Sequence, residues 1–264
     1  MIPLRDENPT RRPAIVTIFL ILVCCAVYFV VQRGASSTLA ADPQSQSAAD
    51  VKFTLDHAAI PAEVIHDRPL TREEVAAEYG PDAPLVLCDA APEAVVTRDA
   101  CDTHKNVYLA ILVSMFLHGS LLHLGGNMLF LWVFGNNIED ARGRLRYLLF
   151  YLAAGLVAMA AHVAVDPGST VPVIGASGAI AGVMGAYLVL YPRAPIQTLL
   201  ILIIPFFRRI QARWLLLFWF VEQLFLQQTG VAWAAHVGGF LFGALAAVVW
   251  RASGTPERST VPAH

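Results

Sequence analysis

Ser177 stands in the run Gly175-Ala176-Ser177-Gly178, near the start of a long apolar segment that carries its hydroxyl into hydrocarbon. Two other apolar segments bring His123 with Asn127, and His236, to comparable positions. A serine, an imidazole within reach and separate hydrogen-bond donors are the parts of nucleophilic acyl transfer. The imidazole takes the hydroxyl proton, and the donors hold the oxyanion that forms. Polar groups are costly inside a bilayer, so their convergence at one depth is a sign of function.

These residues need helices to position them, and the composition supplies membrane-spanning ones. The 264 residues are 56% hydrophobic and 14% charged, with a mean hydropathy of +0.57, which is too apolar for an ordinary soluble domain. Runs long enough to cross roughly 30 Å of hydrocarbon occupy 14–31, 107–134, 145–165, 173–190 and 231–250. Two shorter runs, 196–207 and 214–226, flank the basic stretch from Arg208 to Arg213. The run 14–31 could instead be a secretory signal peptide cleaved after Thr38-Leu39-Ala40, but its apolar core is long for that role.

Charge placement chooses among the topologies. With Arg5, Arg11 and Arg12 holding the amino terminus inside and one crossing at 214–226, the arginines at 142, 144, 146, 193, 208, 209, 213, 251 and 258 all fall inside. If both short runs crossed, His236 would enter from the face opposite Ser177. The expectation is therefore an all-α membrane protein of six transmembrane helices, with 196–207 lying along the inner surface or extending the fifth helix. Its divisions are a cytoplasmic tail at 1–13, a first span at 14–31, an extracytoplasmic loop at 32–106, a core at 107–251 and a second cytoplasmic tail at 252–264.

Thirteen acidic residues against six basic ones leave the loop 32–106 at −7. Composition makes 36–50 unstructured, whereas Thr71-Arg72-Glu73-Glu74 opens a short helix over 70–79. Cys88 and Cys101 both lie on this oxidising side, either bridged as a disulfide or as two free thiols. Cys24 and Cys25 sit within the first span and are read as packing residues. No charge run or basic patch suits nucleic acid.

In this topology helices two, four and six run in the same direction, and each holds its polar residues near its outer end. Gly178, Gly182 and Gly185 on the serine helix and Gly239 and Gly243 below His236 form small-residue faces. Such faces let backbones approach closely, which would bring the Ser177 oxygen to the His236 nitrogen.

The run from His118 through His123 to Asn127, then Gly175-Ala176-Ser177-Gly178, then Ala235-His236-Val237-Gly238-Gly239 with Gly243, resembles the rhomboid family of intramembrane serine proteases over about residues 114–250. Gly135, Glu139 and Gly143 resemble the family's cytoplasmic turn. The resemblance implies a six-helix bundle with a Ser177–His236 dyad, no acidic third member, and a water-accessible cavity opening outside. It also implies oxyanion donors at His123 and Asn127, structural roles for His118, Gly178, Gly239 and Gly243, and an outer loop partly embedded in the membrane. One position departs from the pattern. Relatives commonly carry an aromatic residue four after the serine, packed on the histidine, where this chain has Ala181; the histidine is held by other side chains, or the site is looser.

The activity so implied is endoproteolysis of transmembrane proteins near the extracytoplasmic side, in a bacterial inner membrane, with the bilayer and substrate helices as partners and with no metal or cofactor. An intact helix satisfies its own backbone, so substrates should carry helix-breaking or small residues near the cut. Aromatic residues Trp214, Phe218, Trp219, Phe220 and Phe225 make the fifth helix either a lateral gate or a plain lipid-facing wall. Two other classes compete. A silent relative that binds transmembrane clients would typically lack the serine or histidine, and a small transporter would need more than Glu222 as charged lining.

Overall fold

Backbone in hydrocarbon must satisfy its own hydrogen bonds, so the long apolar runs fold as helices. A computed structural model of the chain describes residues 1–32, 48–88, 101, 104–201, 205–225 and 232–253. In order these form β1 (Ile2–Asp6), α1 (Ile15–Ala26) with a wider-turned extension (Val27–Gln32), α2 (Ala48–His57), α3 (Pro61–His66), α4 (Arg72–Tyr79) and α5 (Ala83–Leu87). Then come α6 (Val107–Ser114), α7 (Leu121–Arg142), α8 (Arg144–Val165), α9 (Ser177–Leu190), β2 (Pro195–Ile201), β3 (Pro205–Gln211), α10 (Ala212–Phe225) and α11 (Trp233–Ala252). Among the described residues three helices are long and apolar enough to cross a membrane, Ile15–Gln32, Arg144–Val165 and Trp233–Ala252. The shorter apolar helix Ser177–Leu190 stands beside them in the sequence.

The described residues fall into two compact units. The first comprises Met1–Val23, Gly125–Ala161 and Ser177–His264. Its centre is the pairing of α9 with α11, which touch backbone to backbone. A Cβ placed on Gly239 would collide with the carbonyl oxygen of Gly178, one on Gly243 with that of Gly182, and one on Gly185 with that of Phe240. On another side of α9, Cβ atoms on Gly178 and Gly182 would come within 2.6 Å of the methyls of Ala158 and Ala154 on α8. Glycine at these positions is thus a packing requirement.

The same unit holds an antiparallel sheet in the order β1-β2-β3. The expectation of an all-α chain is corrected by it. Residues 2–6 contribute the strand β1. Of 196–207, the described residues 196–201 and 205–207 lie in the paired strands β2 and β3 and do not extend the fifth helix. The reason is visible in the pattern: Ile196 and Thr198 are fully buried at a spacing of two, the period of a strand. Pro195 and Pro205 open the two strands, where a missing N–H is tolerated. At the end of β1, Asp6 accepts from the Tyr187 hydroxyl at 2.6 Å, from the Asn8 N–H at 2.8 Å and from the Asn137 amide. Burial nonetheless holds its carboxyl up at about 6. Glu139 on α7 accepts from the N–H groups of Val16 and Thr17 and from the Thr17 hydroxyl, which satisfies the first turn of α1.

The second unit comprises Cys24–Leu124 and His162–Ala176. Residues 48–88 are folded here, a fuller order than an acidic loop with one short helix. Leu55, Ile60, Leu70, Val75, Leu87 and their neighbours form a core beside Cys88 and Cys101, whose sulfurs stand at bonding distance with Cα atoms 4.4 Å apart. Glu63 and Lys105 make an ion pair at 2.5 Å with both side chains almost fully buried, and Glu63 also accepts from the Leu70 N–H. The helix expected over 70–79 is α4, and Thr71 and Glu74 close its first turn as a reciprocal capping box. Of the stretch expected to be unstructured, Ala48–Asp50 opens α2 and 36–47 lie outside the described residues. Most of the second tail, 254–264, also lies outside them.

The run 107–134 is not one helix. It breaks between Ser114 and Leu121, because Ser120 caps α7 by accepting from the His123 N–H at 3.1 Å and the Met115–Leu117 N–H groups turn back onto the end of α6.

Candidate active site

Ser177 is the first residue of α9, a position earlier in its helix than the sequence suggested. The preceding turn passes through Gly175, whose φ of 120° would strain any other residue. A helix start leaves backbone N–H groups without intrahelical partners, so the Ser177 hydroxyl sits at the end of the helix where such donors and the positive end of the dipole lie. His236 lies on the first turn of α11. The close glycine seam of α9 and α11 brings the two together: His236 Nε2 is 2.8 Å from Ser177 Oγ. Both residues are half-buried.

The other ring nitrogen of His236 is also engaged. Its Nδ1 lies 2.7 Å from Oε1 of Gln223 on α10, while the Gln223 amide nitrogen donates to the Trp219 carbonyl at 3.4 Å. The Trp219 ring sits 5.8 Å from the imidazole, tilted by 42°. Ala181, one turn after Ser177, is fully buried. No ring reaches the imidazole from that position, and α10 lies against it instead. Sequence reasoning missed Gln223; its signal was an amide that, with the adjacent Glu222, interrupts an apolar stretch one turn after a tryptophan.

His123 and Asn127 lie one turn apart on α7. His123 Nδ1 accepts a long hydrogen bond, 3.4 Å, from the Gly119 N–H, which leaves the proton on Nε2 and makes that nitrogen a donor. Asn127 is 8% exposed, and its amide nitrogen has no hydrogen-bond partner among the described residues. A buried, unspent donor is costly unless a ligand group takes it. His118 precedes the helix and does not share it. Its backbone exchanges two hydrogen bonds with the Gln32 side chain, at 3.0 and 3.1 Å, and its ring meets that of His123 edge-on at 5.2 Å. The chain turns at Gly119, before α7 begins, and this brings the two rings together. On α10 the aromatic residues divide: Trp214, Phe218 and Phe225 are exposed, whereas Trp219 and Phe220 pack on Phe240 at 6.0 and 4.7 Å.

A serine hydroxyl hydrogen-bonded to an imidazole, on helices apolar enough for a bilayer, defines a membrane protein with the parts of a nucleophilic site. Residues 105–253, more than half of the chain, match the family described as Rhomboid domain, and the chain belongs to the rhomboid family. It is 32% identical over 141 residues to presenilin-associated rhomboid-like protein A, mitochondrial, of Danio rerio, covering 53% of this chain and 37% of that one. With rhomboid protease GluP of Bacillus subtilis it shares 42% identity over 78 residues, 30% of this chain and 15% of the relative. Rhomboid protein 1, mitochondrial, of Saccharomyces cerevisiae matches at 30% over 145 residues, 52% of this chain and 40% of the other. The chain thus spans well under half the length of these curated relatives.

Proposed function

We propose that this protein is an intramembrane serine endopeptidase that cuts transmembrane segments of other proteins near the extracytoplasmic side. The observation that carries the reading is the 2.8 Å hydrogen bond between Ser177 Oγ and His236 Nε2 on helices of membrane character. Ser177 attacks the scissile carbonyl while His236 takes its proton. The tetrahedral oxyanion is held by donors at His123, Asn127 and the start of α9, each worth about 3 kcal/mol by the precedent of oxyanion holes. His236 then protonates the departing amine, and a water molecule, deprotonated by the same imidazole, hydrolyses the acyl-enzyme. Gly178, Gly239 and Gly243 set the approach of the two helices.

The topology belonging to this reading has six spans, the amino terminus in the cytoplasm of a bacterial cell and residues 32–106 outside, where a Cys88–Cys101 bond closes a small loop. Substrate segments must unwind to be cut, which favours helix-breaking residues at the cleavage point. Purified protein, reconstituted with a generic single-span substrate, should cleave it, and Ser177→Ala and His236→Ala should each abolish cleavage. Two folded variants that still cut would overturn the assignment.

A further inference from the structure

Gln223 ties the proposed general base to the neighbouring helix. The Gln223 amide is polar in both directions, and its surroundings allow one orientation. Its nitrogen donates to the Trp219 carbonyl of its own helix, so its oxygen faces His236 Nδ1 at 2.7 Å. An acceptor there requires the proton on Nδ1, and Nε2 is then left bare toward Ser177 Oγ at 2.8 Å. A neutral imidazole with this tautomer can take the serine proton; the other tautomer cannot. Trp219 stands one turn before Gln223 on the same face of α10, with its ring against the imidazole.

We propose that Gln223 is a positioning residue that fixes the tautomer and orientation of His236, with Trp219 flanking the ring, so that a chain with Ala181 beside its serine holds its base from α10. The assignment rests on the endopeptidase reading above and deepens it. The Gln223 amide does so without adding a buried charge, which an acidic residue would bring at a cost in desolvation. Because both contacts belong to α10, displacing that helix from α11 releases the base.

The test compares wild type with Gln223→Met, which keeps side-chain length and loses the acceptor, and Gln223→Glu, which keeps an acceptor oxygen; Gln223→Leu stands in if the methionine variant does not fold. On a reconstituted transmembrane substrate, Gln223→Met should lower kcat roughly 10 to 100-fold with KM little changed, as expected for a base left in mixed tautomers. Gln223→Glu should recover most of that loss. Nitrogen-15 spectra of histidine-labelled protein should show His236 protonated at Nδ1 in wild type and mixed in Gln223→Met. Wild-type kcat in folded Gln223→Met, or a wild-type that carries its proton on Nε2, overturns this role while leaving the dyad standing. A wild type whose cleavage survives Ser177→Ala fails the parent reading instead.

Discussion

Asn127 shows how a single side chain can be read twice. In the sequence it is an amide one turn beyond His123; in the fold it is buried, and its amide nitrogen has no partner among the described residues. Such a group loses free energy until something accepts its hydrogen bond, and an oxyanion would. Asn127→Ala should therefore lower turnover roughly 10 to 1,000-fold while leaving Ser177 reactive, because developing charge is destabilised and the nucleophile is untouched. Steady-state cleavage beside labelling of Ser177 checks this, and unchanged turnover would place the oxyanion elsewhere. At this scale Ser177, His236, His123 and Asn127 stand out in the sequence as candidates, since polar residues flanked by glycines contrast with an apolar background. Gln223 does not. A single amide in a short helix has no periodic partner in the sequence, and only the packing of α10 on α11 gives it one.

Among the elements, the α9–α11 seam was legible because glycines four apart imply a close helix face. Its consequence is measurable. Gly239→Val would drive a branched side chain into the Gly178 carbonyl, a backbone atom that cannot yield cheaply. Overpacking of this kind costs about 1–3 kcal/mol or more, and separation of the helices lengthens the serine–imidazole hydrogen bond. The variant should show a lowered thermal midpoint and at least a tenfold loss of turnover; a variant that is destabilised yet fully active would uncouple the seam from the site. The sheet was not legible. Residues 196–207 were weighed by total hydropathy, which cannot distinguish a buried strand from a short helix, and the strand that pairs with Ile196–Leu199, β1, comes from the other end of the sequence. The break in 107–134 was hidden for a similar reason, as three residues, His118-Gly119-Ser120, interrupt an apolar run without changing its average.

For the molecule as a whole, charge asymmetry separated the acidic region 32–106 from the arginine-rich segments that follow it, yet composition understated the order of that region's described residues. Its stability comes from a small core, the buried Glu63–Lys105 pair and local devices such as the Arg68–Glu74 bridge. Arg68 and the capping Thr71 hold the Glu74 carboxyl down at about 2. A carboxylate whose folded value lies below its unfolded value contributes stability above about pH 4.5, and that contribution disappears as the pH falls toward 2. Glu74→Gln should therefore lower the midpoint of this unit at neutral pH and match wild type at pH 2. Solvent screening limits the difference to about 1 kcal/mol or less. A deficit that persists unchanged at low pH would assign the effect to lost packing.

The central claim is that Ser177 is a nucleophile activated by His236. A serine-directed fluorophosphonate, applied to the intact protein in detergent and followed by mass spectrometry of its peptides, reads that claim at the atom concerned. The account predicts one adduct on the Ser177 hydroxyl, absent from Ser177→Ala and strongly slowed in His236→Ala. An adduct on another residue, or equal labelling with and without the imidazole, would contradict it.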